Sequence, residues 1–386
     1  MKKIKNNITA VNGFYALGKC IGIKKGKKDF AVIYSNKVCN AAAVYTKNKV
    51  KGAPLLVNME HLKKGKAQAI VINSGNSNVA TGKQGIKDAE TTCKLAAKEL
   101  SINKNDVLVA STGIIGKKLP MELIKKGLKG IKKGLKKVNN AAEAILTTDT
   151  IKKEIAIKSD GFIIGAIAKG SGMIHPNMAT MLCFITTDAK LSSAELKKCL
   201  VNSVNESFNM VSVDMDTSTS DMAVIMSSNV KTVNKQKFQQ ALTYVCTDLA
   251  KKIASDGEGA TKLLEVTVKN AKTAEDAKKG AKSVVSSNLV KCAMFGNDPN
   301  WGRIMCALGN SGANFSEPKT DIEMQGNIIV KNGIEVKSFN AKKISNSLKV
   351  DVVKIVVNLN SGNKTATAYG CDMTYDYVEI NADYHT

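Results

Sequence analysis

The chain contains almost no arginine. Arg303 is alone among 386 residues, although lysine carries the formal net charge to +24. Nucleic-acid recognition leans on the bidentate arginine fork at phosphates and base edges. The charge therefore does not mark a nucleic-acid partner, and none is expected. Lysines run along the whole chain, which reads as compositional bias, and Lys125 to Lys137 reads as a helix with a solvated basic face. What remains is a positive field that attracts small anions. Histidine is also scarce, with only His61, His175 and His385. The nine cysteines are scattered, odd in number and contain no Cys-x-x-Cys pair. That pattern argues against a structural zinc site and a disulfide framework, and for reduced core thiols; no metal is expected. No run of about 18 apolar residues occurs, so no membrane span is expected. The basic N-terminus, MKKIKNNITAVNGF, lacks the apolar stretch of a secretory leader. The expected location is cytoplasmic.

What is present is ample hydrophobic content, 44%, enough for one large core or two smaller ones. Apolar runs predict strands at Ala69 to Asn73, Val107 to Ala110, Phe162 to Ala168, Met181 to Thr187, Met222 to Met226 and Leu263 to Val268. Helical periodicity predicts helices over Lys87 to Leu100, Met121 to Lys137, Ser193 to Phe208, Lys235 to Ser255 and Ala274 to Leu289, the last behind an N-cap at Thr273. After Gly302 the texture changes to short strands. Lys331 to Gly333 signals a hairpin, and VVKIVVNL–SGN–KTATAYGC signals another. These patterns give a mixed α and β chain with a boundary near 280–300, dividing it into 1–285 and a smaller β-rich unit, 286–386. No glycine-rich nucleotide-binding loop is present.

The segment KGSGMIHPNMATMLCFITTD, Lys169 to Asp188, stands out. Glycines and a proline lead to Thr180 at the mouth of an apolar run. A hydroxyl there is either a β-branched residue opening a strand or a nucleophile. His175 precedes a proline and reads as a turn residue. Ser111–Thr112–Gly113 follows a strand and reads as an ordinary glycine turn or as an oxyanion-binding loop. Lys169 and Glu258, taken alone, are ordinary charged residues.

KGSGMIHPNMATML resembles the signature of the ornithine acetyltransferase family. NSGNSNVATG, ASTGIIG, TTDT, SFNMVSVDMDTSTSD, DGEGATK, GNDPNWGRI and EINADYHT resemble further blocks of that family, in family order and to the last residue. The resemblance implies an α/β (α+β) fold, a layered α/β/β/α sandwich with a smaller β-rich C-terminal domain. It implies self-cleavage between Ala179 and Thr180, giving an α chain 1–179 and a β chain 180–386 in an α2β2 heterotetramer. It makes Thr180 the nucleophile and places Thr112 and Gly113 in the oxyanion hole. Thr147, Lys169, Thr180, Glu258, Asn381 and Thr386 become substrate-binding positions. The implied reaction moves acetyl from N-acetylornithine to glutamate, with acetyl-CoA as a further donor and no bound cofactor. NSGNSNVATG and GNDPNWGRI are expected to be structural, and Met215 stands where glycine is commoner in the family.

Two alternatives stay open at this point. The D-x-D-x-T of VSVDMDTST has the shape of an aspartyl-phosphate motif, although Asp214, Asp216 and Asp221 also read as hydrogen-bonding loop residues. A self-processed amide hydrolase or aminopeptidase would use the same nucleophile with water as acceptor.

Overall fold

The computed structural model describes residues 1–175 and 181–383. Among the described residues, nine strands form one sheet. Its order runs Lys2–Lys3, Lys153–Ser159, Phe162–Lys169, Leu182–Ala189, Met222–Lys231, Phe30–Tyr45, Lys66–Asn76 and Val107–Ile114, with Phe14–Lys19 added to Phe30–Tyr45. The long strand Phe30–Tyr45 is shared by two halves. Its first part pairs with Lys66–Asn76, its last part with Met222–Lys231, and the register shifts between Tyr34 and Cys39. The sheet thereby folds over on itself. Ala31, Ile33, Ile70, Ile72, Leu108 and Ala110 of one half share a core with Leu182, Phe184, Met222, Val224 and Met226 of the other.

The alternate residues of the same strands point outward, as the two-residue period of a strand requires. Phe30, Val32, Ala69, Val71, Val107 and Val109 pack with helix Gly82–Leu100, through Ala89, Cys93 and Ala96. Cys183, Ile185, Ala223 and Ile225 pack with helices Ser193–Glu206 and Lys235–Ser255, through Leu196, Leu200, Leu242 and Leu249. The layers are helix, sheet, sheet, helix, as expected. Burial on both faces explains why AIVIN, VLVA and MAVIM are continuous apolar runs rather than alternating ones. Each large side chain fully buried here contributes roughly 1.5–3 kcal/mol.

A second sheet of seven described strands has the order Ile334–Glu335, Asn327–Lys331, Asp321–Met324, Val352–Asn358, Leu263–Ala271, Lys364–Cys371 and Val211–Ser212. Leu264, Val266, Ile355 and Ala368 pack on helix Ala274–Ser286 through Ala277, Ala281 and Val284. The other side meets helix Lys235–Ser255, whose core includes Leu263, Tyr369 and Cys371. The expected division at 285/286 runs through this layer, because Leu263–Ala271 is one of its inner strands.

The structure corrects three local expectations. VVKIVVNL and KTATAYGC do not form a hairpin; Leu263–Ala271 lies between them, parallel to the first and antiparallel to the second. The helix expected over Met121 to Lys137 is Met121–Leu128 and a short turn, Ile131–Gly134, because the backbone of Lys136 bonds both ways with Ala16. Ala274 to Leu289 is two helices, Ala274–Ser286 and Asn288–Phe295, with Ser287 capping the second. The hairpin at Lys331 to Gly333 is present.

Candidate active site

Strand Val107–Ile114 ends in Ser111–Thr112–Gly113, alongside Asn73–Ser74–Gly75 of the parallel strand. Gly113 has φ +126°, and a Cβ there would collide with the backbone of Gly75. Glycine is required by both conformation and close approach. The neighbouring block braces the turn. Ser111 Oγ donates to Asn73 Oδ1 at 2.6 Å, Asn73 Nδ2 to the Asn76 carbonyl at 2.8 Å, and Ser77 Oγ to the Ile114 carbonyl at 2.7 Å. NSGNSN is thus scaffolding for the Thr112 loop.

Thr112 and Lys169 are both about nine-tenths buried, and Lys169 Nζ lies 3.4 Å from Thr112 Oγ1. Lys169 ends strand Phe162–Lys169, so the ends of two strands meet here. The next backbone N–H, at Gly170, donates to Asp149 Oδ1 at 2.6 Å; the Thr147 N–H donates to Asp149 Oδ2 at 3.0 Å. Asp149 in turn accepts from Lys153 Nζ at 2.7 Å, and Lys153 also pairs with Asp256. Asp256 Oδ2 accepts the Thr150 N–H at 3.0 Å. Lys153 is fully buried. Burial alone would raise the Asp149 pKa, but the ammoniums of Lys169 and Lys153 outweigh it and hold the carboxyl at about 2. This ion cluster ties the TTDT loop to the Lys169 arm. It was missed from sequence, although TTDT and DGEGATK contain its two carboxylates.

On the other side, the Glu258 N–H donates to the Ser171 carbonyl at 3.0 Å, and the Glu258 carboxylate packs directly on Gly172. Asn381 Nδ2, on helix Tyr375–Ala382, donates to Glu258 Oε2 at 3.0 Å. Thr148 Oγ1 and Ser171 Oγ are 2.6 Å apart. The structure therefore groups Thr112, Gly113, Lys169 and Thr147 through Asp149, and Glu258 with Asn381, and residues 169–172 join the groups. Ala179, Thr180 and Thr386 lie outside the described residues.

Asp214 holds the Met173 and Ile174 N–H groups at 2.6 and 2.8 Å, as a loop residue does. Asp221 also makes a hydrogen bond through its side chain, with Ser218. It is buried, its Oδ2 has no partner among the described residues, and burial pushes its pKa well up, opposed by the Ser218 hydrogen bond and then by the charge of Lys169. His175 Nδ1 lies 3.0 Å from Ser212 Oγ, and burial lowers its pKa to about 4, so it is neutral near pH 7. In GNDPNWGRI, Asn300 caps helix Trp301–Gly309, Trp301 Nε1 donates to Glu335 at 2.8 Å, and Arg303 donates to the Leu289 carbonyl at 2.9 Å. Met215 adopts φ +68°, a conformation that glycine takes without strain. Among the described residues, no helix is long and apolar enough to cross a membrane.

Perturbed, buried charges gathered at the ends of two facing sheet halves mark an enzyme of the layered α/β/β/α class. The chain belongs to the ArgJ family, which it matches over residues 15–386. It is 47% identical to the arginine biosynthesis bifunctional protein ArgJ of Caldanaerobacter subterraneus subsp. tengcongensis, across 100% of both chains. It is 49% identical to the Staphylococcus aureus protein of the same name, over 98% of this chain and 95% of that one. Among solved structures it resembles the ArgJ of Bacillus halodurans, at 44% identity and a TM-score of 0.50, over 52% of this chain and 97% of that chain. The phosphatase and hydrolase alternatives are not favoured.

Proposed function

We propose that the chain is a self-processing acetyltransferase that moves acetyl from N-acetylornithine to glutamate, with Thr180 as nucleophile and acetyl-CoA as a second donor. One observation carries the reading. A buried cation beside a hydroxyl (Lys169, Thr112) and a carboxylate beside an amide (Glu258, Asn381) flank one short arm. That set complements an amino acid with a carboxylate at one end and an ammonium at the other.

Cleavage begins when the Thr180 hydroxyl attacks the Ala179 carbonyl; the acyl group shifts from nitrogen to oxygen and water hydrolyses the ester. The freed α-amine, with an ordinary pKa of about 7.7–8.0, is the base for its own hydroxyl. In the forward half-reaction Thr180 Oγ bonds to the acetyl carbon and the C–N bond of N-acetylornithine breaks. The α-amine passes the hydroxyl proton to the departing ornithine nitrogen. Glutamate then attacks the acetyl ester through its amine and a proton returns to the threonine oxygen. Thr112 and the Gly113 N–H stabilise the oxyanion in each step. Thr147, Thr180 and Thr386 complete the polar contacts. The half-length chain of the Bacillus halodurans structure supports a cut near the middle. The cut chains form a cytoplasmic assembly of two α and two β chains.

The test is a denaturing gel and intact mass beside the exchange assay. Wild type is expected as two fragments with acetyl exchange, and Thr180→Ala as one inactive chain. Two fragments from Thr180→Ala would overturn the assignment.

A further inference from the structure

A cavity of about 510 Å³ opens beyond the far end of the Lys169–His175 arm, and none of the residues assigned to acetyl transfer lines it. Its wall includes His175, Lys279, Lys282, Ser283, Ser286 and Ser287. Lys279 and Lys282 are three apart on helix Ala274–Ser286 and so share a face. Ser287 caps the following helix by accepting the Val290 N–H, which brings that helix's positive end to the wall. Ser286 is 5% exposed, and its hydroxyl has no partner among the described residues. No carboxylate lines the cavity among the described residues. Burial pushes the Lys282 ammonium down to about 8, so it stays mostly charged at neutral pH in a half-buried place. Cations, hydroxyls and a helix start, with no carboxylate among the described lining residues, form the donor set that receives phosphate.

The cavity is also close to the chemistry. His175 lines it, and Ser171, four residues earlier, bonds Glu258. Four residues span at most about 14 Å.

We propose that this cavity is a phosphate site that holds the nucleotide end of the thioester donor, while the donor's flexible arm carries acetyl to the arm's other end. This rests on the reading above that acetyl-CoA is a second donor. Free phosphate shares the chemistry, and the experiment separates the two.

Calorimetric titration of the processed wild-type protein uses adenosine 3′,5′-bisphosphate and, separately, inorganic phosphate. The bisphosphate is expected to bind, and phosphate alone to bind far more weakly. Lys279→Gln with Lys282→Gln is expected to weaken the bisphosphate about tenfold or more and to raise KM for acetyl-CoA by a like factor. Lys279→Arg with Lys282→Arg is expected to restore both. Undiminished bisphosphate binding by the glutamine pair, or phosphate binding as tightly as the bisphosphate, overturns the proposal. Should the glutamine pair fail to fold, competition on wild type decides. Excess bisphosphate must raise KM for acetyl-CoA and leave KM for N-acetylornithine alone; any other pattern overturns it. Loss of acetyl exchange between N-acetylornithine and glutamate in wild type would instead sink the proposed function, whatever the bisphosphate does.

Discussion

In the proposed mechanism Thr112 is an oxyanion donor; its hydroxyl is buried and 3.4 Å from an ammonium. Donors aimed at developing charge act in the transition state rather than in binding. Thr112→Ala is therefore expected to cut kcat by about 10²–10³ with a smaller change in KM; a rise in KM alone would remove Thr112 from the oxyanion role. Lys153 acts differently, through Asp149 and Asp256. Removing one partner of a buried ion cluster costs about 3–5 kcal/mol, so Lys153→Met is expected to unfold that much more readily in urea. The effect should depend on pH. The folded pKa of Asp149, about 2, lies below its ordinary value of 3.8. Its ionic stabilisation is therefore complete above about pH 4 and is lost as pH falls toward 2. The gap between wild type and Lys153→Met should shrink across that window; a gap that widens in acid would mean that Asp149 is not the partner that matters. Sequence could not show this lysine. Lys153 resembles every other lysine of the chain, and one of its carboxylates comes from 103 residues away. Thr112, Lys169, Glu258 and Asn381 could be singled out because each stands in a block with a recognisable neighbour pattern, and the structure brings Lys169 to Thr112 and Asn381 to Glu258.

At the scale of the element, Gly259 positions the C-terminal helix. It has φ +68°, and a Cβ there would lie 2.6 Å from the Tyr377 nitrogen. The Thr374 hydroxyl anchors the same spot by donating to the Gly259 carbonyl at 2.6 Å. Gly259→Ala is expected to displace helix Tyr375–Ala382 and pull Asn381 from Glu258. KM for N-acetylornithine should then rise about tenfold or more, roughly the worth of one charge-assisted hydrogen bond, and Asn381→Ala should reproduce the effect. A Gly259→Ala enzyme with wild-type KM would detach the helix from the site. The elements themselves were largely legible, since helix Lys235–Ser255 and the buried strands follow from period and apolar run. The failure at VVKIVVNL–SGN–KTATAYGC is instructive. Local turn chemistry favours a hairpin, yet a strand from far upstream fills the gap, and Leu359 and Ser361 bond back to Lys269 and Asn270 across its end. Turn residues report the reversal of the chain, not which strand pairs across it.

For the whole molecule, the proposed cut separates polypeptides that share one sheet. Phe162–Lys169, before the cut, pairs with Leu182–Ala189 after it; Phe30–Tyr45 pairs with Met222–Lys231 in the same way. The inner core mixes Ile33, Ile72 and Leu108 with Phe184, Val224 and Met226. The buried Lys153–Asp256 pair also crosses from one fragment to the other. Neither fragment can keep its sheet without exposing strand edges and a large apolar face. Processing is therefore expected to leave the fold intact. The fragments should run together through size exclusion in native buffer at high salt, because the seam is mostly backbone hydrogen bonds and apolar contact, which salt does not screen. They should separate only in denaturant, and either fragment expressed alone should be insoluble. Two fragments that resolved from each other under native conditions, each keeping its secondary structure, would refute the shared sheet as what holds the cut molecule together.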